Sequence, residues 1–245
     1  MKSLTWLNIA AAALLATSLA LVWFAAPLEA SMGAVQKIFY FHVAAAWVGM
    51  VGFLITFVVG IIYLIRPNPK LDWLGAATAE VGLLLSIITT VTGSIWARPA
   101  WNTWWTWDVR LTTYTIAILI YVGYLFLRGA IEDPTRRARF AAVYGVVGFI
   151  SVPLTFLSIR LWQSIHPAVI GTATPTSQGG FDMAPIMALI VILAQVTTVL
   201  VFAALTATRY RLLELQDQVD AQRALALQAE SDLPSHSPAT ASVAK

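Results

Sequence analysis

Cysteine is absent from the 245-residue chain, and charged residues make up only 11% of it. Without cysteine there is no disulfide, no thiolate metal site and no thiol for attaching a cofactor. A soluble domain averages about 25% charged residues, whereas this chain is 59% apolar. These values indicate an integral membrane protein. The sequence pI of about 9.3 does not predict nucleic-acid binding, because the basic residues are spread over several loops.

Six apolar segments are each long enough to cross a bilayer. They cover residues 4–24, 36–65, 77–95, 111–127, 140–161 and 183–207, and Pro153 is expected to kink the fifth. A cleaved signal peptide is the alternative for the first segment, but its apolar run is long for one. We therefore predict an all-α integral membrane protein with a six-helix domain over residues 1–207. A polar tail follows over residues 208–245, with a short amphipathic helix over 212–227 and disorder from Ser231.

The distribution of lysine and arginine predicts the orientation in the membrane. Sorting these residues by alternate sides places eleven on the side of the two termini and four on the other side: Lys37, Arg98, Arg110 and Arg160. Cytoplasmic loops carry the excess of positive charge. Both termini are therefore predicted to be cytoplasmic, and the loop after the third helix is predicted to face outward.

That outward loop is unusually rich in tryptophan. Five of the ten tryptophans lie within residues 96–107, and Asp108 and Arg110 follow directly. An interfacial aromatic belt is the simpler interpretation, because tryptophan favours the membrane surface. So many rings in one loop, with charges beside them, also suggest a flat binding platform. If the stretch is helical, Trp101, Trp104, Trp105 and Asp108 share one face. Haem, which is flat, apolar and anionic, would suit such a surface.

The chain has three histidines, of which His236 lies in the tail and is interpreted as incidental. His42 and His166 both fall at outward helix ends, on the side of the tryptophan loop. Each alone could simply meet lipid headgroups, but a pair could ligate haem iron from both faces. Zinc fits less well, because a structural site needs about four ligands. Four basic residues could pair with haem propionates or simply anchor the interface: Lys37, Arg98, Arg110 and Arg160.

Residues 101–112 resemble the tryptophan-rich WWD signature of a family of haem-handling membrane proteins that includes CcmC, CcmF and CcsA. Six helices with this loop between the third and fourth are most similar to the CcmC branch. The segments 39–43 and 162–166 fall where that family has its two haem-ligating histidines, and the resemblance covers about residues 1–207. The chain departs from the usual pattern at Ala44, Asn102 and Pro167. Asparagine tolerates a positive φ better than other non-glycine residues, so the loop is expected to keep its shape.

The resemblance implies a protein that binds non-covalent haem b at the outer face of the bacterial inner membrane. It implies hand-over to the haem chaperone CcmE, in association with the ABC transporter pair CcmA and CcmB and the small subunit CcmD. His42 and His166 would be the axial ligands of the iron. The remaining haem-binding residues would be Arg98, Trp101, Trp104, Trp105, Trp107, Asp108 and Arg110.

We interpret the protein as a carrier rather than an enzyme, with two alternatives. A cytochrome c haem lyase would be larger, with further histidines inside the membrane. A subunit of a haem export complex would need a polar pathway, and Glu80 is the one carboxylate well inside an apolar segment. For Glu80 we favour a structural role.

Overall fold

The computed structural model describes residues 2–28, 32–162, 164–166 and 184–231. Within these ranges the chain is all-helical, and six of its spans are long and apolar enough to cross a membrane. The helices are α1 (Lys2–Phe24), α2 (Gln36–Ile65), α3 (Pro69–Trp101), α4 (Val109–Ala130), α5 (Pro134–Gly148), α6 (Ser151–Leu161) and α7 (Pro185–Ser231). The predicted all-α membrane fold with six spans is confirmed.

Three of the predicted spans differ most from the helices of the structure. Helix α3 begins earlier and continues through Pro99 to Trp101, so the tryptophan loop proper is only residues 102–108. The fifth span divides at residues 149–150, just before Pro153, into α5 and α6. Helix α7 runs unbroken across the change to polar composition near residue 208. The predicted disorder after Ser231 and His236 both lie outside the described residues.

Helices α2 and α3 form the closest pair in the bundle. Their connection ends at Asn68, whose side chain caps α3 by accepting from the Lys70 backbone N–H at 2.9 Å. Farther along, a Cβ atom at Gly52 would lie 2.9 Å from the Thr78 carbonyl oxygen, and one at Gly82 would lie 3.0 Å from that of Gly49. The backbones of α2 and α3 are therefore in direct contact along this part of the hairpin.

We expect Gly52→Ala to lower the thermal unfolding midpoint of the purified protein in detergent. Alanine gains about 0.5–1 kcal/mol over glycine within a helix, but overpacking a tight contact costs about 1–3 kcal/mol. The clash should therefore outweigh the propensity. Gly129→Ala is the matched control, because a Cβ there meets nothing within 4 Å. If both variants unfold at the wild-type temperature, the close approach of α2 and α3 is wrong.

Two bidentate ion pairs hold the helices together at the end of the bundle away from the tryptophan loop. Arg128 bonds Asp72 at 2.5 and 2.9 Å, and Arg209 bonds Glu80 at 2.5 and 2.9 Å. Charged side chains that lie among apolar membrane-spanning helices are costly unless they are paired. The Glu80 carboxylate therefore joins α3 to α7, in agreement with a structural role.

Candidate functional site

A cavity opens between the helix ends at the tryptophan-loop end of the bundle. Its empty space, counted to include the open mouth, is about 1040 Å³. Most of its wall is apolar and aromatic. The sequence-predicted residues that line it are His42, Trp101, Trp104, Trp105, Arg110 and His166. The structure thus brings together both histidines, three of the tryptophans and one arginine.

The tryptophan loop begins at a sharp reversal after α3. Asn102 has φ 55° and ψ 25°, in the left-handed region, which asparagine tolerates better than other non-glycine residues do. The Arg98 guanidinium donates to the Asn102 carbonyl oxygen at 2.7 Å and to its Oδ1 at 2.5 Å. Arg98 therefore caps the helix end instead of lining the cavity.

Trp101, at the end of α3, and the three tryptophans of the loop divide between the cavity wall and the outer surface. Trp101 packs edge-on against Trp96, with ring centroids 5.4 Å apart, and Trp105 packs edge-on against Trp107 at 5.8 Å. Trp107 is 74% exposed and does not line the cavity, whereas Trp104 is 59% exposed and does. Because residues 102–108 are not helical, the single face predicted for a helical stretch does not form.

His42 lies in the second turn of α2 and packs against α3. Its Nδ1 atom is 3.1 Å from Thr92 Oγ1, and that hydroxyl lies 2.7 Å from the Ile88 carbonyl oxygen, to which it donates. The hydroxyl oxygen then accepts from Nδ1–H, which leaves the Nε2 lone pair free for a metal. Gly93 provides the space, because a Cβ there would lie 2.8 Å from the ring's Cε1 atom.

His166 reaches the cavity from the segment after α6. Its ring packs edge-on against Trp101, with centroids 6.3 Å apart. Pro167, the departure noted in the sequence, lies outside the described residues. Asp108 does not line the cavity; its Oδ1 atom caps α4 by accepting from the Arg110 backbone N–H at 3.1 Å.

Arg110 is the basic side chain in the cavity wall. Its guanidinium carbon lies 5.7 Å from the centre of the Phe156 ring. Within the described residues no carboxylate lies within 4 Å of it, in contrast to Arg128 and Arg209. Lys37 instead donates to the Trp23 carbonyl oxygen at 2.5 Å, and neither it nor Arg160 lines the cavity. Of the four basic candidates, Arg110 has its charge available to a ligand.

Sequence reasoning missed several residues of the cavity wall. Gly93 and Tyr114, and Thr92 beside the His42 ring, belong to segments that read simply as apolar spans, and Trp96 was not among the predicted haem contacts. The Trp96 Nε1 atom is buried without a hydrogen-bond partner among the described residues. A buried N–H normally finds an acceptor, so this donor also suits a polar or anionic ligand. The spacing of Arg110 and Tyr114, one helical turn apart, was the one sequence pattern that could have found Tyr114.

The fold and the cavity define a multi-pass membrane protein with a pocket of histidine, tryptophan and arginine at one end of its helix bundle. Residues 1–225 match the family model described as Heme exporter protein C (CcmC). The chain belongs to this family, which confirms the predicted resemblance.

Three relatives, each named Heme exporter protein C, illustrate the similarity. The Bradyrhizobium diazoefficiens protein is 36% identical over 165 residues, which are 67% of this chain and 62% of the relative. The Paracoccus denitrificans protein is 37% identical over 165 residues, covering 66% and 68%. The Escherichia coli K12 protein is 32% identical over 161 residues, covering 66% of each chain.

Proposed function

We propose that this protein carries haem as a non-covalent cargo, haem b, with His42 and His166 as axial ligands of the iron. The observation that carries the proposal is the meeting of these two histidines, from distant parts of the sequence, in the wall of one aromatic cavity. Imidazole is a common ligand of haem iron. The names of the relatives, which describe heme exporters, agree with this cargo.

The chemistry of the wall fits both parts of the haem molecule. The macrocycle is flat and apolar, and Trp101, Trp104 and Trp105 supply aromatic faces and edges for it. The propionates are anionic, and the Arg110 guanidinium, which forms no ion pair with the described residues, is the matching donor. The orphan Trp96 N–H provides a further donor in the same wall. Arg98, Trp107 and Asp108, also predicted as haem contacts, do not line the cavity.

The direction of transport is part of the proposal. The positive-inside distribution supports a cavity on the periplasmic face of the inner membrane, with both termini in the cytoplasm. The exposed Trp104 and Trp107 then present an aromatic surface beside the cargo, to which the haem chaperone CcmE would dock. CcmA, CcmB and CcmD would complete the assembly. In this arrangement the protein binds and releases haem without transforming it, so we propose a carrier rather than an enzyme or a lyase.

An absorption spectrum of the purified protein tests the proposal. With haem added in detergent, we expect a six-coordinate spectrum, and acidified acetone should extract all the haem because no cysteine attaches it. Titration should saturate at one haem per chain. A five-coordinate spectrum, or binding that does not saturate, would contradict the paired-histidine site. Incubation of the loaded protein with the CcmE acceptor domain tests hand-over, since haem should move to the acceptor.

A further inference from the structure

The Asp108 carboxylate joins two segments that are far apart in the sequence. Its Oδ1 atom accepts from the Arg110 backbone N–H at 3.1 Å and from Ser164 Oγ at 2.8 Å. Its Oδ2 atom accepts from the Ile165 backbone N–H at 3.1 Å. The Ser164 hydroxyl oxygen in turn accepts from the His166 backbone N–H at 3.1 Å. One side chain thus binds the start of α4 and, directly or through Ser164, three consecutive residues after α6.

We propose that Asp108 is a positioning residue that fixes His166 in the wall of the cavity; this rests on the proposed function. Residues 164–166 follow the end of α6 and have no helical hydrogen bonds of their own. Two of their backbone N–H groups therefore depend on Asp108 and Ser164. Hydrogen bonds to a charged acceptor are stronger than neutral ones. The carboxylate holds the segment, and the segment holds the imidazole.

The chemistry of the site requires a carboxylate at position 108. All three partners of the side chain are donors: two backbone N–H groups and the Ser164 hydroxyl. An amide of the same shape offers one acceptor oxygen, and its NH₂ group would face a donor. The N-terminus of α4 also favours an anion. Direct contact with the cargo is the less suitable role, because a carboxylate would repel the haem propionates.

A measurement on the haem-free protein tests whether Asp108 holds residues 164–166 in place. Because the chain has no cysteine, Ile116→Cys on α4 and Ile165→Cys can each take a single spin label. Both side chains are exposed, at 46% and 42%. Electron paramagnetic resonance should give a narrow distance distribution between the labels. We expect Asp108→Asn and Ser164→Ala each to broaden it, and Ser164→Thr, which keeps the hydroxyl, to leave it narrow.

Asp133→Asn is the matched control for the loss of a helix cap. Asp133 caps α5 through the Arg136 backbone N–H at 2.6 Å, and it has no part in the His166 segment. This variant should keep the narrow distribution. If Asp108→Asn and Ser164→Ala also keep the narrow distance distribution, Asp108 and Ser164 do not fix residues 164–166, and the proposal is wrong. Should Asp108→Asn fail to fold, Ser164→Ala still decides the matter.

A double-mutant comparison with haem separates positioning from direct contact. We expect Asp108→Asn to weaken haem binding about 10- to 100-fold, the usual loss for a residue that orients a metal ligand. In a His166→Gly background the same change should cost nothing more, because there is no imidazole left to position. An additional loss of similar size in that background would assign Asp108 to the cargo and overturn the proposal. If wild-type protein binds no haem while the spin-label results are as expected, the proposed function is wrong, but Asp108 still positions the segment that carries His166.

Discussion

Replacing either His42 or His166 with glycine should convert the haem spectrum from six-coordinate to five-coordinate, and added imidazole should restore it. Each change removes one axial nitrogen and leaves a space with the shape of the lost ring. For His42 that space is bounded by Thr92 and Gly93, which would hold free imidazole by the same hydrogen bond. For His166 it lies against Trp101. Absorption spectra of the purified variants, titrated with imidazole, provide the measurement.

The third histidine provides the control for this experiment. His236 lies in the polar tail, and His236→Gly should give the wild-type spectrum with or without imidazole. The double variant of His42 and His166 should lose most of its haem, and imidazole should rescue it only in part. If His166→Gly keeps a six-coordinate spectrum without imidazole, His166 is not a ligand, and the paired-histidine proposal is wrong.

Much of the fold could be predicted from the apolar runs in the sequence. A membrane-spanning helix needs about 20 consecutive apolar residues, and runs of that length are rare in other structures. Counting spans also placed His42 and His166 at the same end, since residues separated by a whole number of helix pairs return to the same side. The structure brings both side chains to one cavity. This part of the site was predictable because topology, not side-chain packing, determines it.

Helix ends were less predictable, for local reasons. The third span was predicted to end at residue 95, but α3 continues through Pro99, which removes only one backbone donor, for two further residues. The polar composition after residue 207 suggested a new segment, yet α7 continues through it. There Arg209 binds Glu80, and Asp217 accepts a hydrogen bond from Trp73. Composition indicates where a helix leaves the apolar region; the contacts determine where it stops.

The supporting shell of the site depends on contacts between distant residues. In the structure Arg98 caps the end of α3, whereas Arg110 lines the cavity. Nothing in the sequence around either arginine predicts this difference. The carboxylate of Asp108 was grouped with the haem contacts because it ends the tryptophan motif, whereas two of its three hydrogen-bond partners are 56 and 57 residues away. A single sequence gives the chemical type of such residues, and their roles require the three-dimensional arrangement.

Gly93→Ala should displace the His42 ring and weaken haem binding, although neither histidine is changed. The added Cβ would lie 2.8 Å from the ring's Cε1 atom, where ordinary contact begins at 3.4 Å. The imidazole must therefore move by about 0.6 Å or rotate, and it would lose its hydrogen bond to Thr92.

We expect the affinity of Gly93→Ala for haem to fall about 10- to 100-fold, as when a metal ligand loses its orienting partner, and the bound fraction to show a five-coordinate component. Equilibrium titration of haem followed by absorption measures both effects. Gly75→Ala is the matched control on the same helix, because its Cβ would make only ordinary contacts at 3.7 and 3.9 Å. Thermal unfolding of both variants separates a local effect on the ring from a general loss of stability. If Gly93→Ala binds haem as tightly as Gly75→Ala, with a six-coordinate spectrum, the ring of His42 does not ligate the iron from this position.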